Sequence, residues 1–362
     1  MTSFNAESIR AALDRRVDPY IGRSLVAAGA IKNIDVHGSR PRIEIRLEFP
    51  AAGYRAELTS AVVGAVSEAC GVVPEVLIGW AVQPNAVQNN LQRVSGVKNI
   101  IAVGSGKGGV GKSTVAVNLA LGLLAEGARV GILDADIYGP SQPLMLGTRE
   151  RPTSPDGKQM NPIRALGLQA MSLGFLMDVE TQPAVWRGPM ATQALWQLLS
   201  ETQWDDLDYL VVDLPPGTGD IQLTLSQRIP VAGSIVVTTP QDIALLDARK
   251  GLEMFRKVGI PILGIVENMS THVCSSCGHE ESIFGHGGGE RLAREAGAEL
   301  LGSLPLDISI REQADSGCPT VAADAESSLA RRYRDIARLA VARLAYGPAA
   351  EVAFPAISIA DD

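Results

Sequence analysis

A chain of 362 residues, 46% hydrophobic and 20% charged, can bury a sizeable core without disulfide or metal staples and has room for about two domains. Its 32 basic residues against 40 acidic ones give a formal net charge of −8, which argues against generic binding to nucleic acid or to anionic membranes. The 37 glycines and 21 prolines are dispersed, which excludes a collagen-like repeat, a low-complexity chain and a coiled coil. The opening residues, MTSFNAESIRAALDRR, contain no apolar h-region, so no secretory signal is expected, and no run approaches the ~18 apolar residues of a membrane helix. The four cysteines are then expected as reduced thiols in a cytoplasmic protein.

In chain order, Ala6 to Arg16 has a helical pattern, and Arg42 to Phe49 alternates polar and apolar residues as a half-buried strand does. Arg55 to Cys70 reads as an amphipathic helix and Pro74 to Trp80 as a short closing strand. Residues 1–81 therefore make a small α+β domain, and the polar stretch VQPNAVQNNLQRVSG, residues 82–96, a linker. From Val97 the texture changes. NIIAVGS is an apolar run ending in glycine, a helical pattern follows over Lys112 to Glu126, and ARVGILDAD is a second run ending in carboxylates. Leu210–Asp213, Ser234–Val237 and Ile262–Val266 repeat the type, with helical stretches such as Ile243 to Val258 between them. Continuous apolar strands alternating with helices predict a mostly parallel sheet covered on both faces, with ligands at the carboxyl ends of its strands. This α/β domain is expected over residues 97–346, closing with a helix over Ser327 to Leu344, and 347–362 form a tail.

Gly106-Lys107-Gly108-Gly109-Val110-Gly111-Lys112-Ser113 fits G-x4-G-K-[ST], follows an apolar strand and opens a helix. Glycines let backbone N–H groups converge on phosphate oxygens, and the helix N-terminus adds a positive dipole end. Lys112 is expected on the β/γ-phosphates of ATP and the Ser113 hydroxyl on Mg²⁺. The nucleotide-binding stretch runs from Gly104 and Ser105 to Thr114. Lys107 is extra to a simple P-loop. It is either a solvated charge at the loop tip or a lysine that reaches a phosphate across a dimer interface. Asp134 and Asp136 end the ILDAD strand, and Asp213 ends Leu210-Val211-Val212. Carboxylates at strand ends beside a P-loop hold Mg²⁺ through water or orient the attacking water. The turn after Asp213, Leu214-Pro215-Pro216-Gly217-Thr218-Gly219, is a candidate switch that moves when the γ-phosphate leaves.

Cys274-Ser275-Ser276-Cys277 is the chemically distinctive feature outside the P-loop. Two thiolates three residues apart hold one metal or one edge of a cluster, but full coordination needs four ligands. A symmetric dimer would supply four cysteines. A single-chain zinc site of Cys274, Cys277, His279 and His286, a redox dithiol, and two incidental cysteines are the rival readings. Cys70 is expected in the core and Cys318 as a structural or accessory thiol. Trp186-Arg187-Gly188-Pro189 is expected near a dimer face.

GSGKGGVGKST (Gly104 to Thr114), LDADIYGPS (Leu133 to Ser141), VVDLPPGTGD (Val211 to Asp220) and ENMS (Glu267 to Ser270) together resemble the Mrp/ApbC family. These are P-loop ATPases of the deviant-Walker-A class, related to MinD and the nitrogenase iron protein, whose members carry or scaffold iron–sulfur clusters. The resemblance implies Lys107 as the signature lysine and Asp136, with Asp134, as the switch I carboxylate. It implies Asp213 as the Walker B aspartate and Asn268 as an adenine contact. It also implies a [4Fe–4S] cluster bridging Cys274 and Cys277 of two protomers. Residues 6–81 resemble the small domain that often precedes this ATPase, which commonly has a cysteine after its central strand in a T-x-A-C-P-type turn. Here Phe49-Pro50-Ala51-Ala52-Gly53-Tyr54 occupies that place, without cysteine. The reading is a cytoplasmic homodimeric ATPase that passes clusters to client apo-proteins and works with cluster-assembly proteins, without nucleic-acid or membrane partners. The competing readings are a MinD- or ParA-like positioning ATPase and a zinc-stabilised nucleotide-binding module.

Overall fold

The computed structural model describes residues 5–88, 91–177, 188–274 and 276–347. Among these the chain divides into two units, the smaller comprising residues 5–48, 55–79 and 346–347, the larger 49–54 and 80–345.

In the smaller unit, helix α1 (Ala6–Asp14) starts at Asn5, whose side chain accepts the Ser8 N–H at 2.7 Å while the Ser8 hydroxyl reaches back in a capping box. Strands β1 (Ile31–Asp35), β2 (Arg42–Leu47) and β3 (Glu75–Trp80) form a sheet in the order β1-β2-β3, with β1 and β2 antiparallel. The alternation read over 42–47 is real: Ile43, Ile45 and Leu47 are buried, and Arg42 and Arg46 are exposed. Helix α2 (Arg55–Cys70) buries Leu58, Val62, Val66 and Cys70 at a spacing of four residues, one stripe of its surface.

The larger unit is built on eight strands: β4 (Val97–Ser105), β5 (Val130–Asp134), β6 (Ile163–Ala165), β7 (Leu168–Ser172), β8 (Leu207–Asp213), β9 (Gly233–Thr238), β10 (Ile262–Glu267) and, beyond a short hairpin of β11 (His272–Val273) and β12 (Glu280–Glu281), β13 (Leu300–Ser303). Their order is β13-β10-β9-β4-β8-β5-β7-β6, parallel throughout except for the antiparallel edge pair β6–β7. The helices are α3 (Lys112–Ala125), α4 (Gln142–Met145), α5 (Gly188–Ser200), α6 (Asp220–Arg228), α7 (Asp242–Lys257), α8 (Gly288–Glu295), α9 (Ile308–Asp315), α10 (Thr320–Ala323) and α11 (Ser328–Tyr346). Every residue of β5, β8 and β9 is buried, as unbroken apolar runs require when helices cover both faces of a sheet. Residues of α5, α6, α7 and α8 share one core with Ala102, Leu133, Leu210 and Val212 of the sheet. Helix α3 is buried over most of its circumference and is crossed by α11: a Cβ on Gly122 would stand 3.3 Å from Ala337 Cβ, so the small residue sets the approach.

The stretch expected as a linker carries no long element, yet it is fastened to the larger unit. The buried Gln88 amide donates to the carbonyls of Ser226 at 2.9 Å and Ile229 at 2.6 Å, and Asn85 N–H to the buried Asn99 side chain at 2.8 Å. Trp186 and Arg187 lie outside the described residues, as does the tail beyond 347.

Candidate nucleotide-binding site and cysteine hairpin

Strand order brings the site together. Strand β8 lies between β4 and β5, and its last residue, Asp213, stands in register with Val103 on one side and Asp134 on the other. The P-loop therefore leaves the sheet beside two carboxylates that are distant from it in sequence. Gly109 (φ +78°) and Gly111 (φ +82°) hold the left-handed backbone that turns the loop into α3. Gly111 is the N-cap and offers no side chain to the first N–H groups of the helix, so these stay available to an anion. Gly106 serves close packing instead: a Cβ there would lie 2.1 Å from the backbone of Asp247 on α7. Ser105 Oγ donates to the Lys107 carbonyl at 2.8 Å, and Gly217 N–H to the Ser105 carbonyl at 2.9 Å, which ties the Pro-Pro-Gly turn to the loop. Val110 is buried, and its carbonyl accepts from the Asn268 amide at 2.9 Å. Asn268 thus braces the loop at Gly108–Gly111 from β10, where the resemblance implies an adenine contact. Thr114 lies in the first turn of α3, and its carbonyl accepts from Asn118 at 3.0 Å.

The charged centre is compact. Lys112 is 6% exposed; its ammonium is paired with Asp213 Oδ1, donates to Ser113 Oγ at 3.1 Å and stands 4.0 Å from Asp136 Oδ2. Asp213 is wholly buried, and its second oxygen accepts from the Gln142 amide at 2.9 Å. The two carboxylates of the LDAD run differ sharply. Asp134 accepts from the N–H groups of Asp136, Ser141 and Gln142 at 3.0–3.1 Å and from the Ser172 hydroxyl at 3.1 Å, so it organises the loop after β5. Burial, then the neighbouring Asp213, pushes its pKa up to about 7 against the pull of Lys112 and the backbone donors. Asp136 is partly open, accepts only from backbone N–H groups in its own loop, and is raised by burial with Lys112 opposing. Asp136 is therefore the carboxylate with capacity left for water or a metal ligand. Lys107 is half-exposed at the loop tip, and among the described residues no carboxylate pairs with it.

Cys274 and Cys277 sit at the end of the β11–β12 hairpin, in which His272 pairs with Glu281 and Val273 with Glu280. Cys274 N–H donates to the His279 carbonyl at 2.9 Å and Gly278 N–H to the Cys274 carbonyl at 2.9 Å, a tight turn that presents both sulfurs. The N–H groups of Ser276 and Cys277, with the Cys277 thiol, hold the Cys274 pKa below the usual thiol range. Cys277 is exposed. The four-ligand zinc site is not assembled: among the described residues no three His, Cys, Asp or Glu side chains gather as a metal cage, and His279 and His286 are both exposed. The hairpin uses the backbone of His279, not its ring. Cys70 is buried in the smaller unit as expected, and Cys318 stands half-buried before α10.

Sequence reasoning missed Gln142, which links Ser113 to Asp213, and Glu126, which anchors the far end of α3. Gln142 directly follows the LDADIYGPS stretch, between Pro140 and Pro143, and that context was its only signal. No helix among the described residues is long and apolar enough to cross a membrane.

Residues 96–341 match the family model described as NUBPL iron-transfer P-loop NTPase, and residues 6–78 match that of an iron-sulfur cluster assembly protein. The chain is 52% identical over 342 residues to an iron-sulfur cluster carrier protein of Haemophilus influenzae, covering 93% of this chain and 91% of that one. It is 51% identical over 257 residues to the mouse iron-sulfur cluster transfer protein NUBPL, covering 70% and 80%. Among solved structures, a nucleotide-binding protein from Archaeoglobus fulgidus in complex with ADP superposes with a TM-score of 0.57 at 35% identity, over 66% of this chain and 92% of that one. A central P-loop on a parallel sheet, a lysine–aspartate pair behind it and a match over most of the chain agree: the protein belongs to the NUBPL-type iron-transfer family of P-loop NTPases.

Proposed function

We propose that this protein is an ATP-hydrolysing iron–sulfur cluster carrier that binds a cluster between two protomers and passes it to apo-proteins in the cytoplasm. The observation that carries the reading is a hairpin that holds Cys274 and Cys277 together, with the Cys274 pKa below the usual thiol range, in a P-loop protein whose relatives are iron–sulfur carriers. A cluster needs four ligands, and two such hairpins facing one another across a two-fold axis supply them. The cluster is cargo, so an open, exposed site suits it better than a buried cage. In the domain scheme that goes with this reading, residues 1–81 form an assembly-type module, 82–96 a connector and 97–346 the ATPase.

The residues fit a nucleotide with Mg²⁺: a glycine loop with free helix N–H groups, a lysine, a serine hydroxyl and a buried aspartate converge, and a buried Gln142 carbonyl oxygen lacks a partner. Bound Mg²⁺ supplies charge neutralisation at the β/γ-phosphates. Lys112 leaves Asp213 for the phosphates when ATP enters, which frees Asp213 Oδ1 to act on the cation side together with Ser113 Oγ. Asp136 orients the attacking water, whose oxygen displaces ADP from the γ-phosphorus in line. Lys107 reaches the phosphates of the partner protomer, and Asn268 contacts the base while bracing Val110. Because Asp213 also begins the Pro-Pro-Gly turn, the exchange of Lys112 between carboxylate and phosphate is a natural trigger for that turn.

The test is anaerobic reconstitution with iron and sulfide, read by visible absorbance and metal analysis. One [4Fe–4S] cluster per dimer is expected, lost in Cys274→Ala and in Cys277→Ala while ATP binding stays. One zinc per chain with no uptake of iron overturns the reading.

A further inference from the structure

The proposed hydrolysis assigns Gln142 no step, yet its side chain lies in the middle of the nucleotide centre. It is the first residue of α4 and is 1% exposed. Its Nε2 donates to Asp213 Oδ2 at 2.9 Å and to the Ser113 carbonyl at 3.2 Å. Both partners are acceptors, so the amide orientation is fixed by chemistry. Its Oε1 is buried and has no hydrogen-bond partner. The other oxygen of Asp213 is held by Lys112, the group that must depart when phosphates arrive. What then keeps Asp213 in place is the Gln142 amide, and the same amide ties it to Ser113, whose hydroxyl would hold the cation on the proposed reading.

A buried acceptor left unpaired is costly, and native proteins pair such atoms with protein groups or ordered water. Of Gln142, Asp134 takes the backbone N–H, at 3.1 Å, so the bond to Asp134 does not depend on the side chain. A carboxylate in its place would repel Asp213 and Asp134, and an apolar side chain would strip Asp213 Oδ2 of its donor. Of these three, the amide gives both a donor to the carboxylate and an acceptor to water. We propose that Gln142 is a positioning residue for the divalent cation that accompanies the nucleotide: Nε2 fixes Asp213 relative to Ser113, and Oε1 accepts a hydrogen bond from water of the hydrated cation. The inference rests on the nucleotide-binding reading.

Removing an outer-shell partner of this kind typically weakens metal affinity by about 10–100-fold. The experiment titrates a fluorescent ADP analogue onto wild type and Gln142→Met, which conserves volume, once in EDTA and once across a Mg²⁺ series. The expected result is an EDTA affinity within about twofold of wild type, with the half-saturating Mg²⁺ concentration raised about tenfold. Equal losses with and without Mg²⁺, or no loss in either, overturn the assignment. If melting shows that Gln142→Met is unfolded, Gln142→Asn, which keeps both amide functions one methylene short, is judged by the same criterion. A wild-type protein that binds no nucleotide even in Mg²⁺ would instead sink the nucleotide reading itself.

Discussion

Asp134 and Asp213 are register partners on neighbouring strands, and the charge of Lys112, paired with Asp213, also acts on Asp134. Two buried carboxylates at such close quarters share the available positive charge unequally. Asp213 keeps Lys112, while burial and its neighbour push Asp134 up to about 7. In the unfolded chain an aspartate titrates near 3.8, so between that value and about 7 the folded protein holds a proton that the unfolded one has lost. The stabilising contribution of Asp134 is thus complete at acid pH and is lost as pH rises through 7. Carbon-13 titration of the Asp134 carboxyl in the nucleotide-free protein should give a midpoint near 7, whereas a midpoint near 4 would refute the assignment. The sequence placed carboxylates at these strand ends, but it did not separate Asp134 from Asp136. That distinction lies in four donors that reach Asp134 from Asp136, Ser141, Gln142 and Ser172.

At the level of elements, α3 is fixed at both ends by opposite means. Its N-terminus is left uncapped for phosphate, whereas its C-terminus is locked by Glu126, which is wholly buried. Glu126 accepts from Arg334 Nε at 3.0 Å and Arg338 Nη2 at 2.8 Å, both on α11, and from Gly53 N–H at 2.9 Å. A side chain at Gly53 would overlap Arg334, so the glycine of the cysteine-free Phe49–Tyr54 segment has a packing role. Arg334 also meets Glu326 and Arg338 also meets Asp335, but both of those carboxylates are exposed, and removing the buried partner of such a network costs about 3–5 kcal/mol. Glu126→Gln keeps the shape and removes the charge, so urea unfolding should show a loss of that order; a loss below about 1 kcal/mol would mean the arginines are satisfied without it. Neither Glu126 nor its arginines carry any signal in a linear reading, because Arg334 and Arg338 look like ordinary solvated positions on a terminal helix.

At the level of the whole molecule, the proposed dimer must supply what one chain lacks: two further thiols for the cluster and a cation that meets the partner's phosphates. Lys107 is half-exposed and, among the described residues, without an acidic partner, which is what a lysine serving its neighbour requires. Its loss should lower turnover more than ground-state ATP affinity, because an added positive charge is worth most as charge develops on the phosphates. Mixing Lys107→Ala chains with Asp136→Ala chains gives heterodimers with one site that has an intact Asp136 and receives Lys107 from its partner. Partial return of ATPase activity is expected. Heterodimers that form and stay inactive would place Lys107 in its own site.

The class of fold was legible from the order of residues. Unbroken apolar runs such as that ending in Val212 fit a sheet covered on both faces, and a glycine loop between a strand and a helix offers an anion site at that helix start. The spacing of Cys274 and Cys277 likewise marked a candidate ligand pair. Their placement at the end of a two-stranded hairpin was not legible, because two-residue strands have no periodicity to detect. The neighbours that each charged group acquires depend on how the strands are ordered in three dimensions. Strand order inserts β8 between β4 and β5, which brings Asp213 beside Lys112 and within reach of the Gln142 amide that also meets Ser113. Periodicity records which face of an element is buried; it carries no record of which element lies opposite.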